Sequence, residues 1–174
     1  MTLNGETVEL KTVKDAIKKK LAYVTEDRKG NGLVLTNPIK INTTLANLDS
    51  ISSKKIIDKD KEYQVAVEYK EKLKTKAPTV EQNVGNLSGG NQQKVLLAKW
   101  MFADPEILIL DEPTRGIDVG AKYEIYCIIN DLVAAGKSVI MISSELPEVL
   151  GMSDRIYVMN EGKFVGELAS SEAN

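Results

Sequence analysis

A continuous apolar run at residues 107–110 (Ile-Leu-Ile-Leu) is the feature that most constrains the fold. Its length fits a strand, and its unbroken apolar character is typical of a parallel strand covered on both faces. A helical pattern follows over residues 119–135, and a second apolar run at residues 138–142 predicts another buried strand. This strand–helix–strand order predicts an α/β fold with a parallel sheet.

Composition excludes several classes of chemistry. The 174 residues contain no His, which excludes a His general base, a Ser-His-Asp triad and an imidazole metal site. A net charge of −2 disfavours binding to nucleic acid through bulk electrostatics. The single cysteine, Cys127, lies in an apolar helical pattern and is interpreted as a small buried hydrophobe. No apolar run approaches the roughly 18 residues of a membrane span.

Further elements follow from local patterns. The pair Asn4-Gly5 predicts a hairpin, residues 12–20 a short helix and residues 21–24 a buried strand. A polar loop is expected at residues 28–32. A largely solvent-facing helix is expected from residue 58 to 74, ended by Ala77-Pro78. Residues 155–165 predict a second hairpin.

Two segments carry candidate chemistry. Asp111 and Glu112 follow the first apolar run, and ligands bind at the carboxyl ends of strands in open α/β sheets. Asp111 suits Mg²⁺ and Glu112 suits an attacking water, although solvated acids in a turn before Pro113 would look the same. A second segment opens a helix, where two glycines and free amides favour an anion, although a plain Ser N-cap is the alternative. It consists of Leu87, Ser88, Gly89, Gly90 and Asn91.

The order of these segments resembles the signature motif, Walker B strand and D-loop of ABC-transporter ATPases, with Asp118 as the D-loop aspartate. The longer sequence segments at residues 87–94, 111–122 and 143–155 resemble those of the ATP-binding subunits of bacterial monosaccharide importers. These are the ribose, galactose and xylose type, which carry two ATPase domains in tandem. Residues 23–29 resemble the second of these two domains, and the sequence of these segments favours xylose-type members.

The resemblance implies a partial P-loop NTPase (ABC ATPase) fold that uses ATP and Mg²⁺. Its core would comprise residues 1–26 and 101–174, and its helical subdomain residues 27–100, ending in the signature helix. Glu112 would be the general base and Asp111 the metal ligand. Glu26 stands at the Q-loop glutamine position, and Ser144 stands where many members place the switch histidine. The signature segment would contact nucleotide held by another domain.

No P-loop, G-x-x-x-x-G-K-[ST], occurs in the sequence. Gly136-Lys137-Ser138 does not qualify, because Asp131 occupies the position of the first glycine. Gly136 instead fits the C-terminal end of a helix. We therefore expect a truncated second ATPase domain that is inactive alone. Exposed sheet edges and apolar surface would then favour self-association.

The resemblance also implies partners. They are the first ATPase domain of the same subunit or a second copy, membrane permease subunits, and indirectly a sugar-binding protein, at the cytoplasmic face of the membrane. No nucleic acid is expected, which disfavours an ABC protein of DNA repair or translation. Arg28 and Lys29 would lie near the permease, or they are solvated loop charges. The competing class is a non-catalytic interaction or regulatory module.

Overall fold

A computed structural model describes residues 2, 3 and 5–172. Its strands are β1 (Thr2–Leu3), β2 (Glu6–Thr7), β3 (Leu21–Val24), β4 (Ser52–Ser53), β5 (Ile56–Ile57), β6 (Ile107–Asp111), β7 (Ser138–Ile142), β8 (Arg155–Asn160) and β9 (Lys163–Ala169). Its α-helices are α1 (Val13–Lys18), α2 (Ile39–Thr44), α3 (Lys59–Lys72), α4 (Gly89–Phe102), α5 (Val119–Ala134) and α6 (Leu146–Met152). Within this described part, no helix is both long and apolar enough to cross a bilayer.

The predicted parallel sheet is confirmed. Strand β6 lies between β3 and β7 and pairs with both in parallel. The register aligns Leu21 with Ile107 at one end and Asp111 with Ile142 at the other. The carboxyl ends of the three strands therefore meet at one edge, where Asp111 lies.

The prediction that residues 138–142 form a buried strand is wrong. Ile140 is 53% exposed and Ile142 is 47% exposed, whereas Val139 packs against the core. Within the described residues β7 borders only β6, and α5 contacts it. Because side chains alternate along a strand, one face of β7 is packed and the other is open.

Helix α4 is the centre of the hydrophobic core. Val95, Leu96 and Leu97 are at most 1% exposed, and the helix contacts α2, α3, β3 and α5. One continuous core cluster includes residues from both the predicted ATPase core and the predicted helical subdomain. The division into an ATPase core and a helical subdomain at residues 27–100 stays a prediction. Helix α4 packs against elements of both predicted parts.

The C-terminal ends of α3 and α5 lie beside residues with a positive φ angle. Helix α3 ends at Lys72, two residues before the end predicted at residue 74, and Lys74 adopts a left-handed φ of 51°. The exposed side of α3 is as predicted, although Ala66 is fully buried. Gly136 ends α5 with a φ of 85°, which confirms its predicted place at a helix C-terminus.

Four local predictions have mixed outcomes. Cys127 is exposed, so its interpretation as buried is wrong. The buried face of α5 contains Ile125 and Ile128. Cys127 lies two positions after Ile125 and therefore points away from that face. Arg28–Gly32 is a π-helical turn rather than a loop. Both hairpins, β1–β2 and β8–β9, are confirmed, although Asn4 lies outside the described residues.

Candidate functional site

The first cluster of predicted site residues lies at the carboxyl edge of the sheet. The Tyr23 hydroxyl donates to Asp111 Oδ2 at 2.5 Å. The Ser144 backbone N–H donates to Glu112 Oε1 at 2.8 Å. Glu112 itself has a φ of 46°, and its N–H donates to the Ile142 carbonyl at 2.9 Å. The structure therefore brings Ser144 to the adjacent acids Asp111 and Glu112, from which the sequence separates it by more than thirty positions.

Asp111 and Glu112 are both half-buried at this edge. The hydrogen bond from Tyr23 to Asp111 raises the pKa of the Tyr23 hydroxyl, with burial as a smaller cause. Within the described residues, no group of three or more His, Cys, Asp and Glu side chains could hold a metal alone. Mg²⁺ commonly takes one or two carboxylates and completes its shell with water and phosphate oxygens. Asp111 therefore fits a Mg²⁺ ion that arrives with a phosphate ligand.

Glu26 lies beside this edge but is engaged elsewhere. Its Oε1 forms an ion pair with Arg115 Nη1, and both side chains are substantially exposed. This pair joins the segment after β3 to the loop after β6. Sequence reasoning gave Arg115 no role, and a single basic residue in a loop offers little signal for one.

A buried carboxylate holds the loops behind the acids. Glu148 is 3% exposed and accepts from the Thr114 hydroxyl at 2.9 Å. Its other oxygen accepts from the Ser143 hydroxyl. Since Thr114 follows the acidic pair and Ser143 precedes Ser144, Glu148 fixes the two loops relative to each other. Sequence reasoning missed this role, because the glutamate carries no sign of burial.

The second cluster lies at the start of α4. Ser88 occupies the N-cap position, but its side chain makes no capping hydrogen bond. Its Oγ instead accepts from Asn91 Nδ2 at 2.8 Å. The first amides of an α-helix have no partner within the helix, so this end favours an anion. Leu87 is 9% exposed and belongs to the hydrophobic core rather than to the helix opening.

A cavity of about 240 Å³ adjoins this helix start. It is lined by Lys76, Ser88, Gly90, Asn91, Asp118, Gly120, Ala121 and Glu124. Three predicted signature residues, Ser88, Gly90 and Asn91, thus share one cavity with the predicted D-loop aspartate, whereas Leu87 and Gly89 are not among its lining residues. Asp118 caps α5, because its Oδ1 accepts from the Ala121 N–H at 3.0 Å.

Arg28 connects the two clusters. Its Nη1 donates to the Arg115 carbonyl at 3.0 Å, and a Cβ added to Gly89 would lie 3.0 Å from its Nη2. Burial lowers the pKa of its guanidinium. The interpretation as a solvated loop charge is therefore wrong for Arg28, whereas Lys29 is exposed. Nothing in the sequence indicated that Arg28 reaches both segments.

Comparison with known proteins gives a consistent family. The protein-family model described as ABC transporter matches residues 1–115. The L-arabinose transport ATP-binding protein AraG of Geobacillus stearothermophilus is 57% identical over 98% of this chain and 33% of its own length. The xylose import ATP-binding protein XylG of Thermoanaerobacter pseudethanolicus is 56% identical over 99% and 34%. The ribose import ATP-binding protein RbsA of Clostridium perfringens is 53% identical over 100% and 35%.

This chain therefore spans about a third of the length of these curated relatives. Among solved structures, a dimeric ATP-binding cassette bound to ADP and Pi superposes with a TM-score of 0.77 at 18% identity, covering 97% of this chain and 72% of that one. Another ATP-binding cassette superposes with a TM-score of 0.75 at 22% identity, covering 91% and 64%. At these identities the likeness establishes the fold.

Proposed function

Because the chain belongs to the ABC transporter family, we propose that it forms part of the ATP-binding component of a sugar importer, within the second of two tandem ATPase domains. The observation that carries the proposal is that the predicted site residues lie in two separate clusters. Asp111, Glu112 and Ser144 meet at the carboxyl edge of the sheet. Ser88 and Asp118 line a cavity at the start of α4.

Each cluster suits one half of a nucleotide site. In the proposed arrangement the sheet edge serves nucleotide of its own domain, and the helix start contacts nucleotide held by another domain. ATP with Mg²⁺ supplies the phosphoryl group when bound. At the sheet edge, Asp111 would hold the ion and Glu112 would accept a proton from the attacking water, whereas Ser88 and the first amides of α4 would donate to phosphate oxygens of the nucleotide held by the other domain.

The proposed substrate class is a monosaccharide. The relatives named for arabinose, xylose and ribose are between 53% and 57% identical to this chain, so identity favours no single sugar. The lean toward xylose stays a prediction. The proposed partners are another ATPase domain and membrane permease subunits at the cytoplasmic face, with a sugar-binding protein acting through them.

The 174-residue sequence contains no P-loop to hold the phosphates. We therefore expect this polypeptide by itself to bind ATP weakly and to hydrolyse none. Calorimetric titration with ATP and Mg²⁺ measures the affinity directly. A dissociation constant in the low micromolar range for the isolated chain would contradict the division into two half-sites.

The helix-start half can be tested in the presence of a separately purified ATP-binding cassette that carries a P-loop. We expect sedimentation to show association that depends on ATP and is lost in Ser88→Arg, which fills the cavity rim with a bulky side chain. Ser138→Ala is the matched control, because Ser138 is an exposed serine at the amino end of β7. Equal association with and without ATP would overturn the proposal.

A further inference from the structure

Both ends of the Asn91 amide are committed to hydrogen bonds within the protein. The backbone N–H of Lys76 donates to Asn91 Oδ1 at 2.8 Å. Asn91 Nδ2 donates to Ser88 Oγ at 2.8 Å. The first bond fixes the orientation of the amide, because a backbone N–H can face only its oxygen. The nitrogen must then point at Ser88.

This orientation determines what the Ser88 hydroxyl can do. A hydroxyl has one proton to donate and two lone pairs that accept. Since Ser88 Oγ accepts from Asn91, its own proton stays available to a further acceptor. Ser88 is exposed and lines the cavity beside α4, so that acceptor can be an anion at the cavity rim.

A second contact supports the same arrangement. Lys94, one helical turn further along α4, has a side chain only 2% exposed. Its Nζ donates to the Lys74 carbonyl at 3.0 Å and pairs with Glu124 Oε2 at 2.8 Å. Asn91 and Lys94 therefore hold the chain at residues 74–76 at two points, which fixes the partner of the Asn91 oxygen.

We propose that Asn91 is a positioning residue that keeps Ser88 a hydrogen-bond donor toward a phosphate, and that it acts through its bonds to Lys76 and Ser88 rather than through a contact of its amide oxygen with the nucleotide. The inference rests on the proposed function and deepens it. Turning the Asn91 amide toward a ligand would break both of its bonds, to Lys76 and to Ser88. The loss of either bond would leave the hydroxyl of Ser88 without a fixed orientation.

The hydrogen bonds can be tested in the chain alone by amide hydrogen exchange at Lys76, measured by NMR. We expect Asn91→Ala to accelerate this exchange about tenfold, since the amide loses its acceptor. Asn91→Asp keeps an acceptor oxygen and should preserve the protection. Asn86→Ala is the matched control, because Asn86 is an exposed asparagine just before the same helix. Unchanged exchange at Lys76 in Asn91→Ala would overturn the proposal.

The positioning role is tested by a double-mutant cycle in the presence of the separately purified ATP-binding cassette that carries a P-loop, with ATP and Mg²⁺ at millimolar concentration, followed through the Ser88 and Gly89 amide resonances of this chain. We expect Ser88→Ala and Asn91→Ala each to weaken binding about fivefold, and the double variant to be no weaker than Ser88→Ala. Additive losses of about 25-fold would mean that Asn91 contacts the nucleotide itself, and would overturn the proposal.

If the Ser88 and Gly89 resonances of the wild-type chain do not respond to ATP in the presence of that cassette, the result would contradict the proposed function, and with it any role of Asn91 toward nucleotide. The Lys76 exchange result distinguishes this failure from the absence of the hydrogen bond. Melting curves from circular dichroism that match the wild type show that each variant is folded.

Discussion

The helix α4 and the strands that follow α5 use similar apolar side chains in opposite ways. Leu96 and Leu97 in α4 are fully buried. Ile140 in β7 is 53% exposed, and Phe164 and Val165 in β9 are 71% and 61% exposed. The first group is covered by helices and strands of the described chain, and the second group is not.

This difference separates the two candidate half-sites. The helix start belongs to a packed helix in which the side chains of Asn91 and Lys94 are paired with other parts of the chain. The acidic edge is built partly from β7, which has one open face. The geometry of the helix start thus depends mainly on contacts within the described residues, whereas the sheet edge stands beside apolar surface in contact with water.

The largest expected difference between the two regions is in stability. Leu96→Ala should lower the free energy of unfolding by about 2–5 kcal/mol, since it removes a fully buried side chain and leaves a cavity. Phe164→Ala should change it by less than about 0.5 kcal/mol, because most of that ring is already exposed. Urea unfolding of both variants measures this, and equal losses would break the comparison.

A smaller loss is expected where α4 approaches α5. A Cβ added to Gly90 would lie 2.6 Å from Ala121 Cβ, so Gly90→Ala forces the two helices apart and should cost about 1–3 kcal/mol. Gly89→Ala is the control, since its added Cβ would meet the flexible end of Arg28. Thermal denaturation compares them, and a Gly90→Ala protein as stable as Gly89→Ala would show that the helices have room to adjust.

Much of this structure could be predicted from local patterns. The apolar runs predicted strands at β3, β6 and β7, and the strand–helix–strand order predicted the parallel arrangement of β6 and β7. Helical periodicity predicted α3, α4 and α5 within a few residues. The acidic pair and the glycine pair were found because short motifs mark them. In each case the signal is carried by neighbouring residues, which is the information that a single sequence contains.

The remaining features depend on contacts between distant segments. Nothing near Arg28 in sequence shows that it reaches Gly89 and Arg115, and nothing near Glu148 shows that it is buried between two loops. The open face of β7 was missed for a related reason. An apolar strand has the same sequence whether one face or both faces are covered.

The pairing of Lys94 with Glu124 gives a pH-dependent comparison. The hydrogen bond from Lys94 lowers the pKa of the Glu124 carboxyl below its ordinary value of about 4.3. The pair therefore stabilises the fold above that value, and its contribution is lost as the pH falls through the lowered pKa. Lys94→Met should cost about 1 kcal/mol at neutral pH, since the Lys74 carbonyl loses its donor, and should show a weaker loss in acid.

Urea unfolding at neutral pH and at about pH 3 tests this, across the range where carboxyl groups titrate. Lys11→Met is the matched control, because Lys11 pairs with Glu9 on the surface and both side chains are more than two-thirds exposed. A Lys94→Met protein with the same acid dependence as the wild type would contradict the role of the Lys94–Glu124 pair.

The smallest change in stability is expected on the open face of β7, where the effect should appear in association instead. Ile140→Lys should alter the free energy of unfolding by no more than about 0.5 kcal/mol, since more than half of the side chain already contacts solvent. The new charge should reduce self-association, because charges on an exposed strand oppose edge and face contacts between copies.

Sedimentation velocity over a range of protein concentrations measures this against Val119→Lys, which alters an equally apolar but 84% exposed residue at the start of α5. If wild type and Ile140→Lys are both monomeric at every concentration, the exposed sheet is not a contact surface, and the difference between the two regions lies in packing alone.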